Sequence, residues 1–174
     1  MNDYAVDVSG IHMNFGRFSA LQDLNLQVKS GTAMALLGEN GAGKTTTLRI
    51  LTNLYRASTG TGTVLGQALG CDDSSFFQRI GYVSENQKLP LRWTLQRLLD
   101  YLKPQYPNWD DDFCRELIEN FELPLDRRLG QMSRGMQMKS SLVSSLAYRP
   151  ELLLLDEPFS GLDPLVREEF IDGV

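Results

Sequence analysis

The stretch from Gly38 to Thr46 constrains the fold of this chain more than any other part of the sequence. It reads Gly-Glu-Asn-Gly-Ala-Gly-Lys-Thr-Thr and fits the spacing G-x-x-x-x-G-K-[ST], with Gly38, Gly43, Lys44 and Thr45 at the fixed positions. Because glycine has no Cβ atom, such a loop can turn its backbone N–H groups inward and surround the phosphates of a nucleotide. The pattern therefore predicts a phosphate-binding loop, and a chance match is rare at ordinary glycine content.

The residues around this loop support the same interpretation. The apolar run Ala33–Leu37 predicts a buried parallel strand that leads into the loop, and Lys44–Leu54 predicts a helix whose N-terminal dipole faces the phosphates. Lys44 would bring a positive charge to the β- and γ-phosphates, and the Thr45 hydroxyl can bind Mg²⁺. We expect the other residues of the loop to line the same site: Glu39, Asn40, Gly41, Ala42 and Thr46.

Composition limits the classes of protein to which the chain can belong. Its 174 residues suffice for one domain with a core and an inserted subdomain. The formal net charge of −5 argues against a nucleic-acid partner. The first residues show no secretory signal, and no apolar run reaches the roughly 18 residues of a membrane span. Cys71 and Cys114 match no metal-binding spacing, and we interpret them as unpaired thiols in a reducing cytosol.

Alternating and continuous apolar patterns predict strands on both sides of the loop. They cover Tyr4–Phe15, Leu21–Val28, a short segment near Thr63–Leu65, and Arg79–Val83. The segment from 57 to 70 is rich in Gly, Ser and Thr, and we interpret it as turns around its short strand.

The pattern becomes helical between about residues 88 and 148. Thr94 is predicted to cap the first helix, and the acidic residues Asp110–Asp112 are predicted to begin the second. A third helix is predicted from about Gly135 to Tyr148. We interpret the apolar stripes of these helices as packing surfaces.

A later strand pattern carries two acidic residues at its end. Leu152–Leu155 is a run of four leucines followed directly by Asp156 and Glu157. A hydrophobic strand that delivers carboxylates to its C-terminal end is the counterpart that a phosphate loop requires. Asp156 is predicted to hold Mg²⁺, usually through water, and Glu157 to polarise an attacking water.

Taken in this order, these motifs resemble the ATPase domain of ATP-binding-cassette (ABC) transporters over nearly the whole chain. Gly38–Thr46 is similar to the family's Walker A loop, Leu152–Glu157 to its Walker B strand, and Ser160–Asp163 to its D-loop. The resemblance implies that Asp163 contacts the nucleotide and that Phe15 stacks on adenine. The alternative is that Phe15 is an ordinary core residue.

A further motif resembles the family's signature segment, which reads Leu-Ser-Gly-Gly-Gln and closes across a head-to-tail dimer over the ATP of the other subunit. Here the segment reads Met132-Ser133-Arg134-Gly135-Met136. The resemblance implies nucleotide contacts from Ser133, Arg134 and Gly135, and a serine hydroxyl at a helix N-terminus suits a γ-phosphate. Arg134 departs from the family's residue, and it either shields phosphate charge or points to solvent.

Two other departures concern the cation site and a histidine. Where the family has the glutamine of its Q-loop, this chain has Glu85, whose carboxylate can bind Mg²⁺ but adds negative charge beside a triphosphate. The family's switch histidine lies well beyond the D-loop, whereas this sequence stops at Val174 and its one histidine, His12, lies in a predicted strand. We therefore expect the family's last strands and helices to be missing, and turnover by these 174 residues to be slow.

The resemblance implies an α/β fold. We expect a P-loop NTPase core with a mainly parallel sheet over residues 1–87 and 149–174, with an N-terminal antiparallel β subdomain and an inserted α-helical subdomain over 88–148. The segment Tyr106–Asp110, together with the signature segment, is further similar to bacterial exporter ATPases of the ABC-2 kind.

The implied function is that of the ATP-binding and ATP-hydrolysing subunit of a transporter, with ATP and Mg²⁺ as its ligands. Its partners would be a second ABC ATPase subunit and a separate integral membrane permease. Its place would be in the cytoplasm, at the inner face of the cell membrane. One alternative is an ATP-binding regulatory or structural module with little turnover, which Glu85 and Arg134 favour and the intact Lys44, Asp156 and Glu157 oppose. Another, a soluble ABC ATPase acting on ribosomes or DNA, is disfavoured by the acidic charge.

Overall fold

The computed structural model of the chain describes residues 3–84 and 87–158. By their contacts, the residues divide into two units, Met1–Phe77 and Gln78–Val174. The strands of the first unit are β1 (Tyr4–Phe15), β2 (Phe18–Lys29), β3 (Thr59–Val64) and β4 (Gln67–Ala68), and its helices are α1 (Lys44–Leu51) and α2 (Ser74–Phe77). The strands form one antiparallel sheet in the order β2-β1-β3-β4.

Strands β1 and β2 form a long hairpin. They pair from Tyr4 opposite Lys29 to Phe15 opposite Phe18, with shifts of register along the way. Both predicted strands are confirmed, although β2 begins at Phe18 and not at Leu21. The apolar side chains of β1 are buried and form much of this unit's core, as their spacing predicts: Val6, Val8, Ile11 and Met13.

Strand β3 is longer than the sequence pattern predicts. It covers Thr59–Val64, whereas turns and a short strand near Thr63–Leu65 were expected. Gly62 pairs with Val8 of β1, and a Cβ atom at residue 62 would lie 2.4 Å from the carbonyl oxygen of Asp7. Glycine here permits two strands to approach closely, which explains why a glycine-rich segment forms a strand.

The prediction of a buried strand over Ala33–Leu37 is wrong. Residues 32–39 have no regular secondary structure, and the Leu37 side chain is 91% exposed. An apolar run becomes a buried strand only where neighbouring strands supply backbone hydrogen bonds and other elements cover it. Among the described residues, the sheet of β1–β4 does not include this run. Its apolar composition therefore did not determine its local structure.

The second unit combines a pair of parallel strands with helices. Its strands are β5 (Ile80–Ser84) and β6 (Leu152–Asp156), and its helices are α3 (Leu95–Leu102), α4 (Asp111–Asn120) and α5 (Arg134–Leu146), with 3₁₀ turns at Lys103–Gln105 and Leu129–Gln131. The strands pair from Ile80 opposite Leu152 to Ser84 opposite Asp156. The predicted strands and helices of this part of the chain are confirmed, with small shifts at their ends.

Side-chain caps explain where the helices of this unit begin. In each of α3, α4 and α5, the residue before the helix accepts a hydrogen bond from a backbone N–H of the first turn. The capping pairs are Thr94 with Arg97 at 3.2 Å, Asp110 with Phe113 at 2.9 Å, and Ser133 with Met136 at 3.2 Å.

Helix α5 contacts β5, α3 and α4, and apolar faces of the three helices form the core of the second unit. Its largest fully buried side chains include those of Val83, Leu95, Leu117, Leu129, Leu142 and Val143. The longest of the described helices, α5, has 13 residues. No described helix combines the length and the apolar character that a membrane span needs.

Tyr148 fixes the end of α5 to the start of β5. Its hydroxyl donates a hydrogen bond to the carbonyl oxygen of Ile80 at 2.8 Å. Its ring stacks on Tyr106 with the two ring centroids 3.9 Å apart. Burial is the main reason that the pKa of Tyr148 is raised, so its hydroxyl stays protonated and can donate.

The packing of α4 can be tested through its cysteine. Cys114 is buried, and burial, reinforced by nearby Asp111, raises its pKa to about 11. The thiolate is the reactive form, so we expect Cys114 to resist alkylation at pH 8 until the protein is unfolded. Cys71 is only half-buried and should be modified first. Iodoacetamide labelling followed by peptide mass spectrometry, with and without urea, measures both sites, and equal rates in the native protein would contradict this packing.

Candidate functional site

The predicted phosphate loop encloses its own lysine. The Lys44 ammonium donates hydrogen bonds to the carbonyl oxygens of Gly38 at 2.8 Å and Glu39 at 3.1 Å. The backbone N–H of Ala42 donates to the carbonyl oxygen of Glu39 at 3.1 Å, which closes a tight turn inside the loop. The loop therefore curves around the ammonium group of its own lysine.

Helix α1 begins immediately after this turn. Gly43 is its N-cap, and the Thr47 backbone N–H and hydroxyl both donate to the Gly43 carbonyl oxygen, at 2.8 and 3.0 Å. The first turn contains no acidic residue, so no carboxylate of that turn offsets the positive end of the helix dipole. Thr45 and Thr46 lie half-buried in this turn, while Asn40 and Gly41 lie exposed at the loop tip. This arrangement suits the binding of an anion.

Phe15 stands at the end of β1 and contacts Tyr55. Their ring centroids are 5.6 Å apart in an edge-to-face arrangement, and Phe15 is 44% exposed. The Tyr55 hydroxyl accepts a hydrogen bond from the Arg49 guanidinium at 2.8 Å, which connects this pair to α1. Phe15 is therefore not an ordinary core residue, and its exposed surface is available for stacking.

The strand pair β5–β6 presents the predicted cation ligand. Asp156 is the last residue of β6 and is only 5% exposed. Its Oδ2 accepts hydrogen bonds from the Tyr82 hydroxyl at 3.2 Å and from the Ser84 hydroxyl at 3.5 Å. A buried carboxylate needs such donors, because burial removes the water that would otherwise solvate its charge.

Glu157 follows directly and differs from Asp156 in both burial and backbone geometry. Its side chain is exposed, and its φ of 52° lies in the left-handed region, which residues other than glycine rarely adopt. The chain thus turns sharply at the end of the strand. The turn separates a buried carboxylate from an exposed one within two consecutive residues.

The predicted signature segment lies at the start of α5. The Ser133 hydroxyl oxygen accepts a hydrogen bond from the Met136 N–H, and Ser133 and Arg134 are exposed, whereas Gly135 is half-buried. The Gln137 amide donates to the carbonyl oxygen of Met132 at 3.2 Å, which holds the approach to the helix in place. Both alternatives for Arg134, charge shielding or solvent exposure alone, are compatible with its exposed position.

The structure places the predicted site residues in the two units as follows. The phosphate loop and Phe15 belong to the first unit, and Ser133–Gly135, Asp156 and Glu157 belong to the second. Glu85 and Asp163 lie outside the described residues. Within residues 3–84 and 87–158, no group of three or more His, Cys, Asp or Glu side chains could hold a metal ion.

Four residues beside the predicted ones were missed by sequence reasoning. Tyr55 and Arg49 accompany Phe15, and Tyr82 and Ser84 accompany Asp156. The second pair had a usable signal, because two parallel strands that end at the same level place their last residues opposite each other. No sequence signal indicated Tyr55 and Arg49, since these two residues come together only through the turn that follows α1.

Comparison with known proteins gives consistent matches. A sequence model of the family described as ABC transporter matches residues 21–160. The chain is 37% identical over 166 residues to the ABC transporter ATP-binding protein sll0415 of Synechocystis sp., covering 91% of this chain and 46% of that one. It is 36% identical over 182 residues to the daunorubicin resistance ATP-binding protein DrrA2 of Streptomyces coeruleorubidus, covering 100% and 56%. The chain thus spans about half the length of the curated relatives it matches.

The fold also matches a solved structure. The dimeric bacterial ABC transporter cassette MJ0796 aligns with a TM-score of 0.84 at 22% identity, covering 97% of this chain and 80% of that one. This likeness, with the antiparallel sheet, the parallel pair and the helices described above, confirms the α/β P-loop fold predicted from the sequence.

Two glycines of the loop allow a matched test of its geometry. Gly41 and Gly43 have nearly the same φ, 87° and 88°, so alanine at either position should incur a backbone strain of roughly 1–2 kcal/mol. At residue 43 a Cβ atom would also lie 2.5 Å from the Leu21 side chain and 2.8 Å from the Ala20 carbonyl oxygen, whereas nothing lies within 4 Å at residue 41. We expect Gly43→Ala to lower the thermal unfolding midpoint clearly more than Gly41→Ala. Equal midpoints in scanning fluorimetry would mean that the loop does not lie against β2 as described.

Proposed function

Because the chain belongs to the ABC transporter family, we propose that it is the ATP-binding and ATP-hydrolysing subunit of a transporter. The observation that carries this proposal is the phosphate loop, whose carbonyl groups at Gly38 and Glu39 already hold the Lys44 ammonium in place. These contacts keep the cation inside the loop in which the phosphates of a nucleotide would bind.

Lys44 and the start of α1 would bind the phosphates of ATP. The ammonium would exchange carbonyl oxygens for the more negative oxygens of the β- and γ-phosphates, and the first backbone N–H groups of α1 would face the same anion. Glu39 and Asn40 contribute their backbone, since both are exposed at the loop surface. Phe15 would stack on the base, with Tyr55 supporting its edge.

The oxygen donors present fit Mg²⁺. The Thr45 hydroxyl at the start of α1 and the Asp156 carboxylate at the end of β6 are hard ligands, and Mg²⁺ takes its remaining positions from phosphate and water. When bound, the ion neutralises charge on the phosphate oxygens. Glu85 is proposed as a further ligand.

Glu157 is proposed as the general base of hydrolysis. Its exposed carboxylate would accept a proton from the water that attacks the γ-phosphorus, while the bond from that phosphorus to the bridging oxygen breaks and leaves ADP. The buried Asp156 cannot readily take this role, because two hydroxyl groups already donate to its Oδ2. Burial thus assigns different roles to two adjacent acids.

A second subunit would complete the site. We propose that Ser133, Arg134, Gly135 and Asp163 contact the ATP held by a partner ABC ATPase, as the dimeric form of MJ0796 suggests by its likeness in fold. The exposed position of Ser133 and Arg134 at the start of α5 is compatible with such a contact. We propose that ATP binding and hydrolysis change the arrangement of the two ATPase subunits, and that a separate membrane permease responds to this change. This subunit would lie on the cytoplasmic side of that permease.

Substitution of Glu157 tests the proposed reaction. We expect Glu157→Gln to bind Mg–ATP like the parent chain and to lower the parent's slow phosphate release to the uncatalysed background, because an amide cannot accept the proton. Lys44→Ala is the matched variant for binding, and it should lose nucleotide affinity as well as turnover. Binding is measured with a fluorescent ATP analogue and turnover by steady-state phosphate release.

Two other outcomes of these measurements would contradict different parts of the proposal. Parent-like ATP affinity in Lys44→Ala would refute the phosphate site. A parent chain that binds ATP tightly but releases phosphate no faster than Glu157→Gln would instead support a binding module with little turnover.

The base contact can be tested with the two phenylalanines of the β1–β2 hairpin. Phe15 and Phe18 lie opposite each other, and Phe18 is the more exposed at 64%, yet only Phe15 is proposed to stack on adenine. We expect Phe15→Ala to weaken ATP binding roughly tenfold while leaving competition by inorganic tripolyphosphate unchanged, because only the base contact is lost. Phe18→Ala should bind ATP like the parent. The reverse pattern would assign the base to Phe18.

A further inference from the structure

We propose that Tyr82 and Ser84 are positioning residues that hold the Asp156 carboxylate in the orientation in which it binds the divalent cation. This inference rests on the function proposed above, in which Asp156 is a cation ligand. It concerns a different question, namely which side chains determine how well that ligand works.

The parallel register places both hydroxyl groups beside the carboxylate. Ser84 is directly opposite Asp156, and Tyr82 is opposite Leu154, two residues earlier. Side chains two residues apart in a strand point to the same face, so Tyr82, Ser84 and Asp156 share one face of the pair. The longer tyrosine side chain spans the extra distance, and its hydroxyl lies 3.2 Å from Oδ2.

Both donors approach the same oxygen atom. The Ser84 hydroxyl lies 3.5 Å from Oδ2, so this oxygen has a donor from each of two neighbouring positions of β5. Two donors at one oxygen restrict rotation about the Cβ–Cγ bond of Asp156 more than one donor does. An ionised carboxylate only accepts hydrogen bonds, so both hydroxyl groups are the donors in these contacts.

Strand β5 is itself held firmly against α5. The Ser145 hydroxyl donates to the carbonyl oxygen of Tyr82 at 3.4 Å, and a Cβ atom at residue 81 would lie 2.9 Å from the Ser145 carbonyl oxygen. The backbone that carries Tyr82 therefore has little room to move. A donor on a fixed backbone can orient its acceptor, whereas a donor on a mobile one would follow it.

A merely structural role for the two hydroxyl groups would affect stability and nothing else. Tyr148 provides the comparison, because its buried hydroxyl donates to the same strand at Ile80 but does not contact Asp156. Tyr82→Phe and Tyr148→Phe each remove one tyrosine hydroxyl bonded within this unit. Only the first should alter cation binding.

The experiment uses Mn²⁺ as the probe metal and the full chain of 174 residues. Free Mn²⁺ is followed by electron paramagnetic resonance, and binding of a fluorescent ATP analogue is measured against Mn²⁺ concentration and in excess EDTA. We expect Tyr82→Phe to raise the half-saturating Mn²⁺ concentration about 10-fold, as is typical when a partner of a metal ligand is removed. Nucleotide binding in EDTA should not change, and Tyr148→Phe should leave the Mn²⁺ dependence unchanged.

Substitutions at Ser84 provide a second test that changes a smaller side chain. Ser84→Ala should raise the half-saturating concentration less than Tyr82→Phe, because its hydroxyl is the more distant donor, and Ser84→Thr should restore it. This pair changes only a small side chain, so it tests the inference even if Tyr82→Phe folds poorly.

Asp156→Asn separates failure of this inference from failure of the proposed function. If Asp156→Asn weakens Mn²⁺ binding while Tyr82→Phe and Ser84→Ala match the parent, the positioning role is refuted and the cation ligand stands. If Asp156→Asn itself retains the parent's Mn²⁺ dependence, Asp156 is not a cation ligand, and both proposals for it fail.

Discussion

The hydrogen bonds from the Lys44 ammonium to the carbonyl oxygens of Gly38 and Glu39 are the interaction on which the proposed chemistry depends. They keep the ammonium group inside the loop. The charge is placed at the start of α1, where the helix dipole has the same sign. The charge of Lys44 and the dipole of α1 are both positive at the start of the helix, so this position favours an anionic ligand.

Much of the fold followed from local patterns in the sequence. The bounds of β1 were predicted correctly, the predicted cap at Thr94 is formed, and α4 begins at the predicted acidic residues Asp110–Asp112. Such features are predictable because a capping side chain and an alternating strand need only residues that are close in sequence. The strand of four leucines before Asp156 was likewise predictable from a local pattern, because strands of a parallel sheet are often continuously apolar.

The features that were missed depend on contacts between distant residues. Ala33–Leu37 has the composition of a buried strand, yet it is exposed and irregular. Thr59–Val64 has the composition of turns, yet it pairs with β1 because glycine permits a close approach. The two donors to Asp156, Tyr82 and Ser84, precede it in the sequence by 74 and 72 residues. The composition of a segment indicates only its local preference. The structure of these segments, and the donors to Asp156, depend on contacts with residues distant in the sequence.

Helix α5 also has a mechanical consequence. Its 13 residues give an axis roughly 20 Å long at a rise of about 1.5 Å per residue. The exposed Ser133 caps one end, and the residues just beyond the other end are fixed to β5 through Tyr148 and Ile80. One rigid element therefore connects the exposed serine with the anchor on β5, about 20 Å away, so the position of Ser133 is set by the same strand that carries Tyr82 and Ser84.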